Sequence, residues 1–242
     1  MSARSRALWP AAVTAIAMLI GCSSEAVTTP TPTPASPTTT TPTPTPTPAP
    51  PATTADGSLS LNATQWEALS DPDYMPLQNN ASGQLTFAFP SSGSINYIYS
   101  IAAPTQISGS VTVSMQIAVS GPVVFDYMTE PFNTCTTPST VRPFIWSNRT
   151  GFGEFDRWWS NPTSVELASG SSTLTVPLTP DRWSSVYGKF GNADATAEAA
   201  FTRALRNVSQ LGLTFGGGCF YGHGVRVKGG SATFTLTSYQ VK

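Results

Sequence analysis

The fourteen residues from Trp146 to Trp159 hold the densest chemistry in the sequence, with Trp146, Glu154, Asp156, Arg157, Trp158 and Trp159 all inside one short stretch. Sugar binding requires flat apolar rings for the C–H faces of a pyranose, and acids, amides or guanidinium groups for its hydroxyls. This stretch supplies both kinds of group. Read as a strand, it places Glu154, Asp156 and Trp158 on one face and Phe155, Arg157 and Trp159 on the other, so one tryptophan points inward. A purely structural account fits the same residues: both tryptophans pack in a core or at an edge, and Arg157 pairs with a nearby carboxylate.

A second cluster runs from Phe125 to Asn133, where alternation puts Asp126 and Glu130 on the side of Met128, with Tyr127 opposite. Polar residues interrupting an apolar strand suit a lined concave surface, and solvated edge carboxylates give the same pattern. Arg142, at the start of the next strand, is placed to pair with either acid. Catalysis finds less support. Retaining glycosidases need two carboxylates about 5.5 Å apart, and jelly-roll β-glucanases present theirs as Glu-x-Asp-x-x-Glu. Here Glu154 and Asp156 fill the first two places and Trp159 stands in the third. No Gly-x-Ser-x-Gly elbow is present, and a single histidine, His223, is left to serve a triad or a metal. The glycines around Gly216 and Gly222 lack the following Gly-Lys-Ser/Thr and helix of a phosphate loop. The protein is therefore expected not to be an enzyme.

The elements that must position these groups read mostly as strands. Period-two alternation marks Leu85 to Phe89, Ile95 to Ile101, Val111 to Val119, Leu174 to Leu178 and a last strand from Ala232 to Val241. The last strand changes phase before Tyr239, which predicts a bulge near Thr237. Val123 to Met128, Val141 to Trp146 and Leu211 to Phe215 read as further strands, two of them apolar on both faces. One helix is expected from about Asp194 to Val208, capped by Asp194 and buried along Phe201, Leu205 and Val208. One short helix among eight or more strands predicts an all-β sandwich, and a length near 185 residues favours a jelly roll over an immunoglobulin-like domain.

The start of the chain has a basic pair (Arg4, Arg6), an apolar run from Ala7 to Ile20 and a small residue before Cys22, the anatomy of a secretory signal. Leu19-Ile20-Gly21-Cys22 resembles the bacterial lipobox, which implies that Cys22 is acylated and becomes the first mature residue. With Ser23 rather than Asp behind the cysteine, the resemblance favours the outer membrane. From Thr28 to Thr54 the chain is almost entirely Thr, Pro, Ala and Ser, a composition that builds an extended spacer of roughly 80 Å at about 3.1 Å per residue. The expected organisation is a signal peptide over 1–21, a lipidated and disordered tether over 22–55, and a β-sandwich over 56–242. Contact with the membrane is expected through the lipid alone, with the domain held outside the cytoplasm in the cell envelope.

From Ala55 onward the chain has 12 acidic and 10 basic residues, a net charge near −2, and no basic patch argues for nucleic acid. With Cys22 taken by lipid, Cys135 and Cys219 remain. In an oxidising compartment they form one disulfide worth about 4 kcal/mol by loop entropy, or stay as two buried thiols.

Leu211 to Val225 followed by the strand from Ser231, with the preceding segment from Pro180 through Trp183 to Gly188, resembles the closing part of galactose-binding-like jelly rolls, which include many carbohydrate-binding modules. The resemblance implies the jelly-roll fold more than a ligand; the residues themselves point to a polysaccharide or glycan as partner, contacted through Trp146, Trp158, Trp159, Arg157, Asp156, Glu154, Tyr127 and Asp126. A second kind of partner, another envelope protein, remains open. No cofactor is expected. Members of that family often carry a structural Ca²⁺, although no Asp/Glu cluster in this sequence matches its ligands.

Overall fold

Alternating apolar residues become strands that bury one face, and in a computed structural model covering residues 57–71, 75–127, 138–217 and 221–242 they assemble into two antiparallel sheets. These residues all belong to one of the two compact units into which the chain divides, Pro48–Lys242. The strands, in chain order, are β1 (Trp66–Asp71), β2 (Gln78–Asn79), β3 (Leu85–Ala88), β4 (Ser94–Ser100), β5 (Ser110–Ser120), β6 (Val124–Tyr127), β7 (Thr140–Trp146), β8 (Arg157–Ser160), β9 (Val165–Glu166), β10 (Gly170–Pro177), β11 (Trp183–Ser185), β12 (Gln210–Gly216), β13 (Val225–Lys228) and β14 (Ser231–Val241). A five-stranded sheet runs β10-β5-β14-β3-β2, and a nine-stranded sheet runs β11-β8-β7-β12-β4-β13-β6 with β1 against β4 and β9 against β7. Among the described residues the architecture is an all-β sandwich with one α-helix, α1 (Ala195–Arg206), as the alternation predicted.

Between the sheets lies a continuous apolar core. Val111, Val113, Met115 and Ile117 of β5 meet Ile98 of β4, Ile145 of β7 and Leu211, Leu213 and Phe215 of β12 in the same cluster. Phe87, Phe215 and Phe234 interlock there, with Phe215 edge-on to the other two and Phe87 stacked on Phe234. The outward positions of the small sheet are hydroxyl-rich, and Thr112 with Thr175 and Ser114 with Thr173 pair across strands at 3.1 and 3.0 Å. Helix α1 starts where Asp194 Oδ1 accepts from the Ala197 N–H at 2.8 Å, the cap read from the sequence. Its buried face brings Phe201 against Trp158 and Trp183.

Two departures from regular pairing decide which side chains face outward. The register of β14 shifts between Leu236 and Ser238, close to the expected bulge, and turns Tyr239 into the core. In β4 the register against β1 shifts between Leu69 and Ser70. That irregularity corrects the expectation of one apolar face from Ile95 to Ile101: Ile95 and Ile98 enter the core, Tyr97 and Tyr99 turn to the opposite face, and Ile101 lies exposed past the strand end.

Burial pushes the Tyr239 hydroxyl well above the usual tyrosine pKa, and burial also raises Tyr97 and Tyr99. Above about pH 10 the unfolded chain releases tyrosine protons that the fold retains, so stability falls as pH rises, by up to about 1.4 kcal/mol per pH unit for each such group. Urea melts between pH 9 and 11 are expected to show this loss, with a shallower slope in Tyr239→Phe; equal slopes would contradict it.

Candidate functional site

Because β7, β8 and β12 lie inside the large sheet, their side chains alternate between the core and a second face away from the small sheet. Val141 and Ile145 of β7 point to the core, while Phe144 and Trp146 point away. Register fixes their neighbours: Trp159 lies opposite Phe144, Arg157 opposite Trp146, and Gln210 opposite Trp146 on the other side. Tyr97, Tyr99, Phe144, Trp146 and Trp159 form an aromatic cluster on this outer face, separate from the core. Tyr97 meets Phe144 and Trp146 edge-on, with ring centroids 5.0 Å apart in both pairs.

Two guanidinium groups lie in this cluster, both less than one-tenth exposed. Arg157 is sandwiched, its Cζ 4.3 Å from the Trp146 ring centroid and 3.9 Å from that of Phe152. Arg142 lies 3.7 Å under the Tyr221 ring and donates to the Ser160 carbonyl at 3.0 Å and to Thr140 Oγ1 at 3.2 Å. Burial holds both below the usual arginine pKa. Tyr97 is pushed up by burial and pulled partly back by the Arg157 charge. Among the described residues neither guanidinium forms an ion pair, whereas every cation that does is about one-third or more exposed.

Hydrogen bonding separates the tryptophans into two groups. The Nε1–H groups of Trp66, Trp158 and Trp183 donate to the carbonyls of Ser60, Phe155 and Pro177 at 2.8, 3.1 and 2.9 Å. Those of Trp146 and Trp159 are buried with no partner at good hydrogen-bond geometry, as are Arg157 Nε and both amide atoms of Gln210, although the Tyr97 hydroxyl lies close enough to the Trp159 indole and the Arg157 guanidinium for both to draw its pKa down. Of the six such atoms among the described residues, five lie on this one face; the other is Gln65 Oε1. Leaving a buried polar group unpaired costs about 1–3 kcal/mol, so native folds leave few of them and a cluster of five requires a reason.

Several residues expected at the site lie elsewhere. Trp158 is fully buried in the inter-sheet core, stacked on Phe155 at 5.6 Å, and offers no ring face outward. The stretch before it is a turn, with β8 starting only at Arg157; Asp156 Oδ2 accepts from the Gly153 N–H at 2.7 Å and organises that turn. Glu154 is half-buried next to it. Asp126 and Tyr127 lie on β6, at the far edge of the sheet from β8. Burial raises the Asp126 carboxyl, but hydrogen bonds from Lys228 and Arg226 outweigh it and hold the pKa below the usual value. Its partners are therefore Arg226 at 2.9 Å and Lys228 at 2.6 Å, which corrects the expected pairing with Arg142. Tyr127 packs into the core, and a methyl group at Gly217 would meet its ring at about 2.5 Å.

Tyr97, Tyr99, Arg142, Phe144 and Gln210 were not among the expected site residues. For Arg142 and Phe144 the signal was the apolar reading of the β7 segment on both faces, which implies that the sheet buries something on its second face; Tyr97, Tyr99 and Gln210 are placed by long-range register and had no such signal. Cys22, Glu130, Cys135 and Cys219 lie outside the described residues. Among those described, no three or more His, Cys, Asp or Glu side chains gather as a metal site would require, and no helix is long and apolar enough to cross a membrane. No family model matches the chain, and no curated protein matches it significantly.

Proposed function

We propose that the protein is a non-catalytic, surface-anchored carbohydrate-binding lipoprotein: a galactose-binding-like jelly roll presented by a lipidated Cys22 and a Thr/Pro-rich tether to glycans outside the cytoplasm. One observation carries this reading, the gathering of five unpartnered buried polar atoms among edge-on and tilted aromatic rings on the outer face of the large sheet. Sugar sites combine these parts, with rings for C–H faces and a few fixed polar groups for orientation. The candidate contacts are Trp146, Arg157, Trp159 and Gln210, with the exposed ring of Phe152 at the rim.

The test is a glycan array probed with the purified protein beside Trp146→Phe and Trp159→Phe. Each variant keeps an aromatic ring and loses the indole N–H, so binding of the retained glycan is expected to weaken about five- to tenfold, the equivalent of one hydrogen bond near 1–1.5 kcal/mol. A silent array would overturn the reading.

A second reading, a structural or protein-interaction envelope lipoprotein, is favoured by Phe152 and Tyr187, whose rings are 71% and 73% exposed. Tyr187 adjoins Val186, which packs on the aromatic cluster, so both rings border the same face. Exposed rings of this kind also seat protein partners.

A further inference from the structure

Resting on the carbohydrate-binding reading, we infer that the glycan is acidic and that the outer face recognises the carboxylate of a uronate sugar through Arg157, helped by the indole N–H groups of Trp146 and Trp159. Three features of the face select this chemistry.

The first is its hydrogen-bond balance. The unpartnered atoms include four donors, Arg157 Nε, Trp146 Nε1, Trp159 Nε1 and Gln210 Nε2, against one acceptor, Gln210 Oε1. Arginine and the indole can only donate, so their partner must accept. A neutral sugar hydroxyl brings a proton that itself needs an acceptor, and the face offers one unpartnered acceptor against four donors; of the carboxylates beside it, Glu67 already accepts from Arg149 at 2.9 Å and from Tyr99 at 2.7 Å, and Asp156 from Gly153. A carboxylate only accepts.

The second is charge. Arg142 and Arg157 are the most buried cations described, and neither forms an ion pair, although burying an unpaired charge is costly. An anionic ligand compensates them.

The third is stereochemistry. With Trp146 on one face of the Arg157 guanidinium and Phe152 over it at 3.9 Å, its approachable donors lie in its own plane. In-plane approach to the edge that carries Nε is the geometry of a bidentate carboxylate. Phe152, on the exposed loop between Gly151 and Gly153, forms the rim beside the guanidinium.

The experiment uses affinity gels of polygalacturonate, alginate and hyaluronate, each run beside its carboxyl-reduced counterpart with the same backbone and no charge. The full-length protein is expected to be retarded by at least one acidic polymer at least about tenfold more than by its reduced form, with retardation falling as salt rises. Arg157→Lys keeps the charge and the stem but breaks the planar fork, and is expected to lose most of that preference while melting as a folded protein. Equal retardation by acidic and reduced forms overturns the inference and leaves the carbohydrate reading standing. No retardation by any of the six, with an array that binds only neutral glycans, also overturns it; a silent array overturns both. An unchanged preference in folded Arg157→Lys removes the role assigned to Arg157. If that variant fails to fold, the paired polymers still decide on the wild-type protein.

Discussion

Trp158→Ala is expected to lower the unfolding free energy by about 3–5 kcal/mol, the range for deleting a large, fully buried aromatic side chain. The residue is 0% exposed, stacks on Phe155, meets Phe201 edge-on at 5.1 Å and donates its indole N–H to Phe155. Truncation removes one of the contacts that join α1 to the large sheet, leaving Trp183 against Phe201, together with a satisfied hydrogen bond. Urea denaturation monitored by far-UV circular dichroism measures the change. A loss below about 1.5 kcal/mol would show that Trp158 is not the core residue described. Trp159, its neighbour in sequence, belongs to the outer cluster, so Trp159→Phe is expected to change ligand binding far more than stability.

Gly212→Ala is expected to be severely damaging for a single added methyl, preventing stable folding or lowering stability well beyond an ordinary surface change. Gly212 lies opposite Tyr99 in the central pairing of β12 with β4 and opposite Phe144 of β7. A Cβ there would collide with the Ile98 carbonyl oxygen and come within 2.7 Å of the Tyr99 Cα. Both obstacles are backbone, so relief requires β12 and β4 to separate and their ladder to break. The Gly212 carbonyl also accepts from the buried Tyr239 hydroxyl at 3.3 Å, which would carry the displacement into the core. Expression yield and thermal melting of the variant test this, and a melting temperature within about 2 °C of wild type would contradict the packing described.

Local signals in the sequence specified much of this architecture, and the failures came where long-range pairing overrode them. Asp194 followed by Phe201 at helical spacing located α1 because a cap and an apolar stripe are both local. The phase change ahead of Tyr239 revealed the β14 bulge for the same reason. In β4 the apolar pattern was continuous, and the irregularity against β1 that sends Tyr97 and Tyr99 outward depends on a partner strand, Trp66–Asp71, that the alternation did not reveal.

At the candidate site, composition drew attention to the stretch from Trp146 to Trp159, and Trp146, Arg157 and Trp159 do converge. Treating Glu154 to Trp159 as one strand gave Asp156 and Trp158 a shared face, whereas the Asp156 turn removes the acid from the strand and leaves Trp158 inward. Gln210 was invisible as a site residue because its place beside Trp146 depends on the register between β12 and β7. Asp126 attracted attention as a carboxylate in an apolar strand, but its partners Arg226 and Lys228 lie about a hundred residues away in the chain.

The central claim, that glycan binds the outer face of the large sheet, is tested most directly by the indole N–H resonances of ¹⁵N-labelled protein titrated with the oligosaccharides of the glycan panel. Trp146, whose indole proton has no acceptor, and Trp159, whose indole lies beside the Tyr97 hydroxyl without a hydrogen bond of good geometry, are expected to shift on binding, while Trp66, Trp158 and Trp183, already bonded to backbone carbonyls, stay in place. Saturating oligosaccharide that leaves Trp146 and Trp159 unmoved would contradict the assignment of this face.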